Sequence, residues 1–215
     1  MLLLFSGDSN TAHKYLFIDG QYLDRVYVQQ MRDFFGDDGA LDLVALKDEV
    51  GAFSVYYYQA LNSAHGSATS EAFKQRLARD VERFDAIDAL PGFHVRLGTT
   101  SGKASKKRKP RQKQVDIRLA VDALSHAFHK NLVEAVFLTG NLDFKPVVDA
   151  LVRMGVPSRV DYDERSVAKP LYRAADLAVP ITLDRCYRWS TTAYRNSHPL
   201  PTVQDGHMGV SPFST

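Results

Sequence analysis

The stretch VFLTGNLDFKPVVDALVRMGV, residues 136–156, decides the fold. Val136 to Leu138 continue an apolar run that starts near Glu134 and closes at Thr139, and Gly140-Asn141 breaks it. Asp143 to Met154 then carries helical spacing, and Gly155 opens a new β-branched run from Val156 to Asp161. Strand, turn, helix and strand of this length form a βαβ unit, which folds as a right-handed crossover between parallel strands. The same pattern extends outward in both directions.

Upstream, Tyr15 to Asp19 reads as a strand and Gln21 to Arg32 as a helix, followed by a turn-rich break at Gly36 to Gly39. Phe53 to Tyr58 reads as a second strand, in which Tyr56, Tyr57 and Tyr58 are expected to pack in a covered sheet. After the polar segment from Asn62 to Ser70, Thr69 or Ser70 can cap a helix from Glu71 to about Leu90, with Phe73, Leu77, Val81, Phe84 and Ile87 at helical spacing. Pro91-Gly92 ends it, and Phe93 to Leu97 is a third strand. A helix from about Gln114 to His129 is expected to bury the stripe Ile117, Ala120, Val121, Leu124 and Phe128, leaving His126 and His129 on its polar side. Downstream of Asp161, a short helix around Val167 to Ala175 and a strand near Ala178 to Leu183 complete the alternation. The expected fold is α/β, a three-layer sandwich with a mostly parallel central sheet.

A parallel sheet opens its ligand crevice at the carboxyl ends of its strands. Asp19 and Asp143 would share that rim, while Asp116 and Asp122 lie on the helical stretch from about Gln114 to His129. Six positions separate the latter pair, about 120° around a helix axis, so both cannot face one small site. Asp116, in the first turn, is the better candidate; Asp122 is expected to orient a neighbour or cap. Crowded carboxylates repel, and a divalent cation relieves them. Metal-dependent phosphate chemistry is the expected class.

Composition agrees with one soluble domain. The chain has 215 residues, 45% apolar and 24% charged, the balance of an ordinary globular protein. Its single cysteine, Cys186, rules out an internal disulfide or a multi-thiolate zinc site and fits a reducing, cytoplasmic setting. The apolar start from Leu2 to Phe5 is too short for a signal peptide or a membrane span. The net charge is only +2, yet seven of the eleven residues from 103 to 113 are basic: Lys103, Lys106, Lys107, Arg108, Lys109, Arg111 and Lys113. Such a block cannot pack in a core. Placed just before Asp116, it suits a polyanion whose phosphates bridge basic loop and acidic site.

The segments FIDGQYL, KQVDIRLAVDAL, VFLTGNLDFKPVVDALVRMGV and LYRAADLAVPI, in this order, resemble the NYN domain, in the LabA-like branch of the PIN-like nucleases, over roughly Lys14 to Leu183. The resemblance implies a Rossmann-like fold and a metal-dependent ribonuclease in which Asp19, Asp116, Asp143 and Asn141 hold Mg²⁺ or Mn²⁺. It also implies single-stranded RNA as substrate, with Gln21 and Thr139 as neighbours that orient the ligands. This chain has Asn141 where the family has Asp, and Tyr22 where it has Asn. An Asn oxygen ligates Mg²⁺ without bringing negative charge, so weaker metal affinity is expected. The alternative is a catalytically weak NYN domain that binds RNA or a protein. The expected organisation is an N-terminal extension (1–13), the domain (14–185) and an irregular C-terminal tail (186–215), with a homodimer allowed and no membrane association.

Overall fold

The structure, a computed structural model, describes residues 13–61, 71–99 and 113–201. The expected N-terminal extension through residue 12, the 62–70 segment with its capping Thr69 or Ser70, the basic residues 103–111 and the chain after 201 lie outside the described residues.

Six strands form one sheet: β1 (His13–Asp19), β2 (Ser54–Leu61), β3 (Phe93–Thr99), β4 (Leu132–Leu138), β5 (Ser158–Tyr162) and β6 (Leu177–Pro180). Their order is β3-β2-β1-β4-β5-β6, and every pairing is parallel. The chain winds outward from β1 to β3, then crosses back to β4 on the other side of β1. That reversal puts the topological switch point between β1 and β4, where Ile18 pairs with Leu138.

Alternation along the strands builds two cores. Leu16, Ile18, Val55, Tyr57, Val136 and Leu138 face one side, and Phe17, Tyr56, Tyr58, Ala135, Phe137 and Val160 the other. On the first side pack α1 (Gly20–Phe35), α2 (Leu43–Val50), α3 (Glu71–Asp88), α7 (Leu183–Arg188) and Tyr194 of α8 (Thr192–Ser197). On the second pack α4 (Lys113–Phe128), α5 (Lys145–Arg153) and α6 (Lys169–Tyr172). The three-layer α/β sandwich is as expected, and the three consecutive tyrosines are all buried.

Three features depart from the sequence reading. First, α4 buries Val115, Leu119, Ala123 and Ala127, whereas Ile117, Val121 and Phe128 of the expected stripe are 64%, 57% and 76% exposed. The helix is rotated by its contacts: a Cβ on Gly98 would stand 2.3 Å from Val115 Cγ2, so α4 sits close against β3 and turns its small residues inward. Asp122 locks the rotation by accepting a hydrogen bond from Tyr58 Oη at 2.8 Å and pairing with Arg96 at 3.4 Å. His126 consequently packs on Tyr15 and Tyr56 rather than lying on a polar face.

Second, α2 was not anticipated, although its ends carry legible caps. Asp42 accepts the N–H groups of Val44 and Ala45, and Gly51 closes the helix at φ 70°. Third, the polar stretch after Cys186 is not irregular throughout. Thr182 and Thr191 cap α7 and α8, and Cys186, Trp189 and Tyr194 join the core. Arg185 anchors this end through buried Asp161 (2.5 Å) and Glu49 (3.0 Å), with its guanidinium against the Trp189 ring.

Candidate functional site

The crossover at the switch point sets Asp19 beside Thr139. Strand β1 ends at Asp19, whose carboxylate accepts the Tyr22 N–H at 3.1 Å and so caps α1. Its other oxygen accepts the Thr139 hydroxyl at 3.4 Å, and Thr139 Oγ1 in turn accepts the Asn141 N–H at 3.2 Å. Thr139 therefore ties the two strand ends together. Glycines permit the approach on both sides: a Cβ at Gly20 would meet the Tyr57 ring at 2.6 Å, and one at Gly140 the Tyr22 ring at 2.6 Å.

A cleft of about 280 Å³ opens at this point, lined by Asp19, Gln21, Tyr22, Arg25, Asp116, Gly140, Asn141 and Ser166. Four elements contribute: the start of α1, the first turn of α4, the turn after β4 and the loop after β5. A larger cavity of about 570 Å³ lies elsewhere, lined by Gln30, Asp33, Phe34, Asp163 and Arg165 among others. Its acids Asp33 and Asp163 both pair with Arg165, and Glu164 also lines it.

Among its described lining residues the smaller cleft sets two acids, Asp19 and Asp116, beside one cation, Arg25. Burial raises the Asp19 carboxyl above its ordinary value, against the opposing pull of the Tyr22 and Thr139 hydrogen bonds and the Arg25 charge. Asp116 is half-buried, and its carboxyl is pushed up to about 6, first by burial and then by the charges of Asp19 and Asp143. The charges of Asp19 and Asp143, carried on two other elements, thus reach Asp116.

These acids do not form a closed cage. Among the described residues no three acidic, histidine or cysteine side chains stand together as ion ligands. Asp143 is exposed at the rim, in the 3₁₀ turn Leu142–Phe144, and donates its N–H to Asn141 Oδ1 at 3.0 Å. Asp19 and Asp116 line the cleft with Asn141. Mg²⁺ is commonly held by one or two carboxylates, with water and substrate phosphate completing its shell, and the donors present fit that pattern.

Of the remaining expected residues, Gln21 lines the cleft and Thr139 bonds Asp19. Asp122 is not brought there, being held by Tyr58 and Arg96. The basic segment joins the carboxyl end of β3 to the turn of α4 that carries Asp116; Lys113 is the first residue of that helix. Tyr22 lines the cleft at the position the resemblance marked, whereas Arg25 and Ser166 were not anticipated there. Arg25 follows Gln21 by four positions, so reading one face of α1 finds it; Ser166 comes from a loop and leaves no such signal.

The fold and cleft define a doubly wound α/β domain with an acidic site at its switch point. Residues 14–182 match the NYN domain family, and the chain belongs to it. That family suggests a PIN-like nuclease. No curated protein matches. The fold is similar to a crystal structure of a protein of unknown function from Vibrio parahaemolyticus, at 18% identity and a TM-score of 0.52, over 79% of this chain and 93% of that one. No described helix is long and apolar enough to cross a membrane.

Proposed function

We propose that this NYN domain is a metal-dependent ribonuclease that hydrolyses phosphodiester bonds of single-stranded RNA. The order of its motifs supports the LabA-like branch. The observation that carries the reading is the meeting of Asp19 and Asp116 in one cleft, where Asp116 is raised by burial and by the charges around it. Two acids lining one cleft, neither in an ion pair among the described residues, favour an incoming divalent ion. Asp19 and Asp116 would hold Mg²⁺ or Mn²⁺, with the Asn141 oxygen and Asp143 beside them. An ion held there would supply Lewis acidity to a water and to the phosphate oxygens.

The chain's own groups then orient the reaction. Thr139 keeps Asp19 aimed by bonding its second oxygen, and the capping bond from Tyr22 holds the first. Displacement by water forms a new phosphorus–oxygen bond as the bond to the leaving ribose oxygen breaks, and requires no protein nucleophile. Cys186 offers none, because it is buried and its thiol is pushed up to about 12 by that burial. The Ser166 hydroxyl donates to Asp163 Oδ2 at 2.9 Å. The basic residues from Lys103 to Lys113 would track the strand's phosphates.

A second reading, an RNA-binding or protein-binding regulatory module of low activity, is favoured by one observation. The Asn141 oxygen is already engaged by the Asp143 N–H, which weakens it as a ligand. Labelled single-stranded RNA incubated with Mn²⁺, Mg²⁺ or a chelator, beside Asp19→Asn, decides between them. Cleavage lost with the chelator and with the variant supports the nuclease. Binding without cleavage selects the module, and cleavage indifferent to both overturns the site.

A further inference from the structure

Tyr22 is held in the cleft by contacts on both its ring and its hydroxyl. It is 4% exposed, its hydroxyl accepts the Asp163 N–H at 2.7 Å, and its ring edge fills the space a Gly140 side chain would need. Partners on two other elements therefore fix this ring. Over it lies the guanidinium of Arg25, with Cζ 5.3 Å from the ring centroid, a cation–π distance.

Arg25 lines the same cleft as Asp19 and Asp116. Its charge reaches Asp19, where it opposes the effect of burial. Yet among the described residues it makes no hydrogen bond or ion pair. Arg83, Arg159, Arg165 and Arg185 each hold a carboxylate. A guanidinium held over a buried ring, at the edge of an acidic cleft and committed to neither acid, presents its donor fork to something brought in from outside. That fork matches two phosphate oxygens.

The geometry points to Arg25 as the residue that binds the phosphate of the nucleic-acid strand entering the cleft, with Tyr22 as its positioning platform. This rests on the nuclease reading for the identity of the strand, but it makes a separate claim about a separate residue. The cleft divides into an acidic half, formed by Asp19 and Asp116, and a cationic wall, formed by Arg25. A phosphodiester bound between them meets positive charge from the wall as well as from the ion the acids attract.

The test is binding of a labelled oligouridylate by fluorescence anisotropy across a salt series, in Ca²⁺, with strand integrity checked on a gel. Arg25→Ala should bind about tenfold more weakly at low salt. Its plot of log Kd against log salt should be shallower by about 0.7, the worth of one single-strand phosphate. Arg25→Lys should keep the slope while losing part of the affinity, since it keeps charge but not the fork. Tyr22→Phe keeps the ring and should keep both slope and affinity even where its melting temperature falls. A purely structural Arg25 would leave the slope unmoved. Arg25→Ala with the wild-type slope and affinity overturns the inference, and leaves the nuclease reading standing if the wild type cleaves. A shallower slope in a wild-type background that does not cleave keeps Arg25 and removes hydrolysis. A wild type that binds no RNA overturns both.

Discussion

Replacing Asp116 with Asn should stabilise the metal-free protein while abolishing cleavage. The carboxyl stands at about 6 against an ordinary value of 3.8. A tenfold change in ionisation is worth about 1.4 kcal/mol, so the ionised form costs roughly 3 kcal/mol at face value. Asp116 is only half-buried, and solvent screening reduces that to about 1 kcal/mol. The folded state holds this proton more tightly than the unfolded chain. Wild-type stability from this group therefore falls as pH rises from about 4 to about 6, then levels off. Asn cannot ionise, so its advantage should be absent below about pH 4, grow through that window and be complete above about pH 6. The measurement is urea unfolding in a chelator, followed by the fluorescence of Trp189, the only tryptophan and fully buried. At about pH 8 the variant should melt about 2–4 °C higher. Added Mn²⁺ should stabilise the wild type more than the variant, because an ion that binds only the folded state adds stability by mass action. A variant no more stable than wild type at about pH 8, or one whose gain is the same at about pH 4, refutes the reasoning.

Other substitutions probe neighbouring parts. Asn141→Asp should raise Mn²⁺ affinity several-fold in calorimetric titration and increase cleavage, while lowering metal-free stability by about 0.5–1 kcal/mol through added repulsion on Asp116; unchanged affinity would mean position 141 does not face the ion. Arg185→Ala leaves buried Asp161 with Arg159 alone and takes one partner from Glu49, and should cost about 2–3 kcal/mol, seen as a fall of about 4–12 °C in a thermal melt. A loss near zero would show that the C-terminal helices contribute little. Leu119→Ala should cost about 2–5 kcal/mol in urea unfolding, against under about 0.5 kcal/mol for Val121→Ala, since the first side chain is fully buried and the second 57% exposed. The reverse order would restore the apolar stripe that the spacing suggested.

The rotation of α4 shows why some of this was not legible. Two apolar stripes run along the helix, one through Val115, Leu119, Ala123 and Ala127, the other through Ile117, Val121, Leu124 and Phe128. Starting two positions apart, they lie about 160° apart around the axis, on nearly opposite faces. Hydrophobicity favours the second stripe because its side chains are larger. Close approach at Gly98 favours the first because Val115 packs into the space a side chain there would need. Asp122 was judged from the same helix wheel, and its real partners, Tyr58 and Arg96, come from distant strands. The C-terminal helices were hidden differently, since a polar composition gave no sign that Trp189 and Tyr194 would be buried.

What the chain declares by itself is local: apolar runs of strand length broken by Gly and Asn, helices between them, and acids placed where those runs end. These follow from nearest-neighbour sterics and from side-chain periodicity, which act over a few residues. Which acids meet is decided across the molecule. Asp19 joins Asp116 because the crossover from β3 to β4 carries the start of α4 to the switch point, while Asp143 stays at the rim and Asp122 turns toward Tyr58. Arg25 becomes a cleft residue because Tyr22 is wedged against Gly140 and held by Asp163. Such placements depend on packing between elements far apart in sequence, where shape and volume must fit at once, and no local pattern encodes that fit.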